Sequence, residues 1–171
     1  MNIEITDIDG ARAHLRYGTL TFDCALGKAG ITLAKREGDH AIPAGRFPLR
    51  QLYYRPDKFP NPPECTLSTQ ELNNHDGWCD APDDPLYNQY VRLPFKASHE
   101  QLWRTDEVYN LIVVIGYNDD PPVADAGSCI FMHVARDNYA PTEGCIALAQ
   151  DDLLTLLAAI EPSTEIVIPA P

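Results

Sequence analysis

Proline recurs fifteen times in this chain of 171 residues, and its placement limits what the backbone can build. A proline offers no N–H to a strand ladder and clashes with the preceding turn of a helix. Two clusters stand mid-chain, RPDKFPNPPE (Arg55 to Glu64) and DAPDDPLYN (Asp80 to Asn88), with a smaller group at DDPPVADAG. The segment from about Arg55 to Asn88 is therefore expected to be a long irregular excursion. Such loops in compact domains are functional or disordered. Phe59, Leu67, Trp78, Leu86 and Tyr87 give this one enough apolar surface to pack in order.

Around the excursion the signals are those of strands. LTFDCALG and GRFPLRQLYY alternate, VRLPF is short, and TEIVIPAP supplies a last strand. YNLIVVIGYN is a continuous β-branched run, as expected for a strand buried on both faces. SCIFMHVA, Ser128 to Ala135, reads the same way. One helix is clear, Asp151 to Ile160, with acidic residues in its first turn and leucines at 153, 154, 156 and 157. Ser98 to Trp103 predicts a second short helix, with Ser98 as cap and Gln101 three residues on. The expectation is one mainly β domain over residues 1–171, with one or two short helices and no linker or repeat.

Composition narrows the function. The net charge is −12 and basic residues never form a run, which argues against a nucleic-acid or anionic-membrane surface. No stretch approaches the ~20 apolar residues of a membrane helix. The N-terminus, MNIEITDIDGARAHLRYG, has acids where a secretory signal has bases and lacks an apolar core. A cytoplasmic protein is the expectation, or a periplasmic one if a leader has been trimmed. Cys24, Cys65, Cys79, Cys129 and Cys145 are odd in number and irregularly spaced, so reduced thiols are expected.

The chemistry concentrates in FMHVARDNYAPTEGCIAL, Phe131 to Leu148. On the expected strand His133 shares a face with Cys129 and Phe131. The chain then loops through Asp137, Asn138 and Pro141 and returns through Thr142, Glu143 and Gly144 to Cys145. Gly144 allows a tight turn with N–H groups near a ligand. A cysteine needs a neighbour to become a thiolate, and a histidine supplies that. Two other readings stay open. The pair can be core residues. Alternatively Cys129, His133 and Cys145, or Cys65, His75 and Cys79, can be metal ligands, although neither set has a C-x-x-C pair or a clear fourth member. No metal or cofactor is expected.

HVARDNYAPTEGCIAL resembles the active-site signature of the L,D-transpeptidase (YkuD-type) catalytic domain: a histidine at a strand end, a loop, then Ser/Thr-x-Gly-Cys. IPAGRFPL, Ile42 to Leu49, resembles that family's Thr-Pro-x-Gly-x-Phe segment. The resemblance implies barrel-like or sandwiched β-sheets and a cysteine that attacks a peptidoglycan stem peptide between its third residue, often meso-diaminopimelate, and a terminal D-alanine. It makes Cys145 the nucleophile, His133 the base, and the N–H groups of Gly144, Cys145 and Glu143 the oxyanion hole. Thr142, Arg136, Tyr117 and Trp78 are the expected substrate contacts.

The chain departs from the family pattern in several places. Glu143 replaces a histidine, Ala147 replaces a basic residue, and Val134 follows the base where glycine is common. Arg136 is the candidate for the missing cation, because its fork suits a stem-peptide carboxylate. Without an export signal, soluble muropeptides are the expected partners and water the expected acceptor. That makes L,D-carboxypeptidation in wall recycling the expected activity. Transpeptidation or D-amino-acid exchange, and a non-catalytic wall-peptide-binding or zinc-stabilised module, are the alternatives.

Overall fold

The computed structural model describes all 171 residues. It is mainly β. The strands are β1 (Ile3–Asp9), β2 (Arg12–Tyr17), β3 (Leu20–Ala25), β4 (Ile31–Thr32), β5 (Ile42–Pro43), β6 (Gly45–Tyr54) and β7 (Ser68–Glu71). They continue with β8 (Asp76–Cys79), β9 (Tyr90–Arg92), β10 (His99–Gln101), β11 (Leu111–Ile115), β12 (Phe131–Val134), β13 (Ile146–Leu148) and β14 (Glu165–Ile168). The α-helix, α1, spans Gln150–Ala159, and Asp137–Tyr139 is a 3₁₀ turn. No helix is long and apolar enough to cross a membrane.

The main sheet runs β11-β12-β13-β3-β2-β1-β14-β6-β7, and β11 also pairs with β6. That pairing closes every strand except β7 into a barrel-like ring, which removes most of the free edge. The long strand β6 makes closure possible. Gly45 to Pro48 pair with β14, while Leu49 to Tyr54 pair with β11. Inside the ring lie Ile3, Leu15, Leu52, Val113, Met132, Ile146 and Ile166, joined by Leu153, Leu156 and Leu157 of α1. The acidic first turn of α1, Asp151 and Asp152, faces the positive end of its dipole.

A second apolar layer lies outside the ring. Ile112, Val114 and Phe131 point outward and pack with Trp78, Leu102, Val108 and Tyr109. Strand β11 is thus buried on both faces, as its unbroken apolar run predicts. The outer layer is held by a small sheet, β10-β8-β9. It is here that two sequence expectations need correction. The excursion from Arg55 to Asn88 is not irregular throughout: it holds β7, parallel to β6, and β8, the centre of the small sheet. Ser98 to Trp103 forms no helix. His99, Glu100 and Gln101 instead pair antiparallel with Cys79, Trp78 and Gly77. A segment this short cannot nucleate a helix alone, and pairing with a buried strand outweighs its capping signal.

Candidate active site

Two parallel strands set the geometry of the site. Met132, His133 and Val134 pair with Ile146, Ala147 and Leu148. Side chains alternate, so Met132, Ile146 and Leu148 enter the ring core while His133 and Ala147 point outward. Cys145 lies two residues before Ala147 and shares that outward face. The expected strand over Ser128 to Ala135 begins only at Phe131, because Cys129 is left-handed, with φ 55. That conformation is uncommon for a residue with a side chain. It is fixed by the Cys129 N–H donating to Asn88 Oδ1 at 3.1 Å.

The turn before Cys145 is fastened to the end of β3. Thr142 N–H donates to the Leu26 carbonyl and Lys28 N–H to the Thr142 carbonyl, both at 2.9 Å. Gly144 has φ +127, and a Cβ there would stand 3.0 Å from the Ala41 carbonyl oxygen, so only glycine fits. Thr142 is buried, and its hydroxyl organises the turn from within. Its Oγ1 accepts from the N–H groups of Gly144 (3.2 Å) and Cys145 (2.9 Å) and donates to the Cys145 carbonyl at 2.6 Å. Two sequence expectations fall on this turn, whose residues Thr142 to Cys145 all line the cavity described below. Thr142 is a turn-holding residue whose bonding capacity is spent inside the chain. Of the three N–H groups expected to line an oxyanion hole, Gly144 and Cys145 are engaged, and Glu143 alone has no partner in the chain. The Glu143 carboxylate is bound outward, to Lys28 at 3.0 Å and to His40.

His133 is buried, and its Nδ1 lies 3.0 Å from the Val134 carbonyl. A carbonyl only accepts, so Nδ1 carries the proton and Nε2 is left with a free lone pair. The group that orients His133 is therefore its neighbour's backbone, which leaves no mark in a sequence. Burial lowers the His133 pKa to about 4, with Arg136 and Arg104 adding to the effect. Burial, then the charge of Glu100, raises the Cys145 pKa to about 12. At rest the thiol donates to the Cys129 carbonyl at 3.1 Å. The resting pair is a neutral thiol and a neutral imidazole.

Both groups line one cavity of about 290 Å³. Arg136 reaches it from the loop after β12, exposed and without an ion pair, and Arg104 reaches it while bound to Asp106 at 2.6 Å. Glu37, Asp80 and Glu100 supply an acidic wall. All five cysteines are free thiols, and no three His, Cys, Asp or Glu side chains gather as a metal-holding group.

The family model for the L,D-transpeptidase catalytic domain (YkuD) matches residues 5–168. The chain belongs to the L,D-transpeptidase family. No curated protein and no solved structure matches it. Family membership makes it an L,D-transpeptidase-type enzyme, with cysteine chemistry on peptidoglycan peptides.

Against this family frame, two expected substrate contacts are displaced. Trp78 is buried in the outer core, its ring edge-on to Phe131 at 5.2 Å and its Nε1–H donating to Asn88 Oδ1 at 3.0 Å. Tyr117 packs edge-on against Phe47, and its hydroxyl donates to the Ala126 carbonyl at 2.6 Å. Neither lines the cavity. Arg136 does line it. Glu37, Lys35, His40, Arg104 and Glu100 carried no sequence signal. They come from two separate segments, 35–40 and 100–104, that only the fold brings together.

Proposed function

We propose that this L,D-transpeptidase-family enzyme is an L,D-carboxypeptidase, removing the terminal D-alanine from tetrapeptide stems of soluble muropeptides through a thioester on Cys145. The observation that carries this reading is the seating of His133 and Cys145 in one small cavity. About 290 Å³ lies at the low end for ligand pockets. Such a space suits one peptide terminus and a water molecule, and leaves little for a second stem as acceptor.

In this reading Cys145 Sγ attacks the carbonyl carbon of the third residue while its proton passes to His133 Nε2. With a neutral resting pair, proton transfer accompanies attack instead of preceding it. The developing oxyanion meets the unengaged N–H of Glu143. The Gly144 N–H, held to Thr142 by the longer of two bonds, is the next donor available to it. His133 then gives its proton to the amine of the departing D-alanine as the C–N bond breaks. Water attacks the thioester, loses a proton to His133, and the returning proton releases Cys145 as a thiol. Arg136, with no partner of its own, binds the D-alanine carboxylate.

The test is a disaccharide tetrapeptide incubated with the enzyme and an excess of a different D-amino acid, with products followed by mass. Accumulation of the tripeptide is the expected result. An exchanged tetrapeptide as the main product would make the enzyme a transpeptidase.

A further inference from the structure

The backbone beside Cys145 offers few donors to a developing oxyanion. Thr142 Oγ1 already takes the N–H groups of Gly144 and Cys145, and the Glu143 N–H alone is open. Lys35 stands over this turn. Its Nζ is 3.8 Å from the position a Cβ on Gly144 would take, and it lines the cavity together with Cys145. Its side chain is 5% exposed. Gly127 confines the stem, since a Cβ there would stand 2.9 Å from Lys35 Cγ and 3.0 Å from Cε. The ammonium donates to the Asp39 carboxylate and, at 3.0 Å, to the Arg36 carbonyl. An ammonium has three donors, so one is left without a partner in the chain.

Asp39 does not line the cavity. It fixes the ammonium from outside, and is itself held by the N–H groups of Arg36 at 2.8 Å and Ala41 at 2.9 Å. The cations that line the cavity divide their work. Burial lowers the His133 pKa, and Arg136 and Arg104 add to that effect. Burial and Glu100 hold the Cys145 pKa up, and Lys35 works against them. The arginines thus act on the base and Lys35 on the nucleophile. A donor already fixed in place needs no rearrangement when charge appears beside it.

We propose that Lys35 is a further catalytic residue, whose unpaired N–H binds the oxyanion formed when Cys145 attacks the stem-peptide carbonyl. This rests on the reading of a thioester on Cys145, whatever acceptor resolves it. As the Sγ–C bond forms, the carbonyl π pair moves to oxygen and the thiol proton passes to His133 Nε2. Lys35 keeps its own proton and gives that oxygen a charge-assisted hydrogen bond, beside the Glu143 N–H. The pair returns to the carbon–oxygen bond as the amine leaves. The Lys35 bond is therefore strongest at the tetrahedral stage, and it lowers the barrier without tightening substrate binding.

The test follows acylation by p-nitrophenyl acetate, which forms the same kind of oxyanion without a stem peptide. Nitrophenolate release in the first turnover gives the rate, and mass spectrometry places the acetyl group on Cys145. Lys35→Met should slow acylation about a hundredfold or more, the usual loss for one oxyanion donor. Lys35→Gln, which keeps an N–H for Asp39, should lose a similar factor, so the result does not hang on the folding of one variant. Asp39→Asn breaks the same ion pair but keeps the ammonium, and should retain most of the rate. Calorimetry in Cys145→Ala protein should find the tetrapeptide Kd unchanged when Lys35→Met is added. Near-parental acylation by either Lys35 variant, an equal loss in Asp39→Asn, or a Kd weakened as much as the rate would overturn the assignment. D-alanine release from a disaccharide tetrapeptide reports separately on the carboxypeptidase reading. Lys35-dependent acylation without that release removes the carboxypeptidase reading alone. Release that is equal in the parent and Lys35→Met removes the role of Lys35 alone, and a parent acylated by neither substrate overturns both.

Discussion

In the proposed reaction Cys145 enters as a thiol, held there by burial and by Glu100, with a pKa of about 12. His133 is held neutral by the same burial, with a pKa of about 4. This differs from a cysteine pre-ionised by an imidazolium, and the difference is measurable. Iodoacetamide should alkylate Cys145 at pH 7 far more slowly than it alkylates free cysteine, whose thiol titrates near ~8.5. The rate should rise about tenfold per pH unit through neutrality. Fast alkylation that is flat with pH around neutrality would mean a resting thiolate instead. At this scale the sequence was informative about side chains and silent about backbone. His133, Cys145 and Gly144 stood out by type and spacing only as candidates, and the family resemblance supplied their expected roles. The Val134 carbonyl that sets the tautomer, and the Cys129 carbonyl that holds the thiol, could not stand out, because every residue has a carbonyl.

The excursion between Arg55 and Asn88 shows what a loop composition can hide. Its prolines do break the chain, yet Asp76 to Cys79 is a fully buried strand between two others. Asn88 is one of the side chains that tie the segment to the ring. Asn88 Oδ1 accepts from Trp78 Nε1 and the Cys129 N–H, and its Nδ2 donates to the carbonyls of Tyr117 and Asn118. That uses an amide's two donors and both lone pairs. Its backbone is left-handed, with φ 56, which asparagine tolerates well. Asn88→Ala should therefore lower the unfolding free energy by about 3–5 kcal/mol. It should also loosen Cys129, so that activity falls below that expected from the folded fraction; chemical denaturation and D-alanine release together check this. Stability within about 0.5 kcal/mol of the parent would refute the tether. The strand misread as a helix, His99–Gln101, failed for a related reason. Its partner Trp78 lies more than twenty positions away, and no local pattern announces that pairing.

The whole molecule is a closed ring with an apolar layer on each side of β11 and β12, and the reaction site lies at the rim of the outer layer. The ring could be anticipated from alternating runs and the buried β11 run. Its closure, through two halves of β6, could not, because pairing partners are set by the assembled core. Burying a neutral histidine in that outer layer links stability to pH. The folded pKa of His133, about 4, lies below the ordinary 6.5, so between those values the unfolded chain binds a proton that the native chain does not. The contribution is complete above about pH 6.5 and lost as pH falls toward 4, about 3 kcal/mol in all. Urea denaturation at pH 7 and near pH 4.5 should show that loss, and His133→Asn should reduce it. An equal loss in both proteins would place the acid sensitivity elsewhere. The central claim, that Cys145 carries the acyl group of a peptidoglycan stem, has one direct test. Mass spectrometry should detect D-alanine release from a disaccharide tetrapeptide by the unsubstituted enzyme and none by Cys145→Ala of matched stability, whereas release that persists in Cys145→Ala would contradict it.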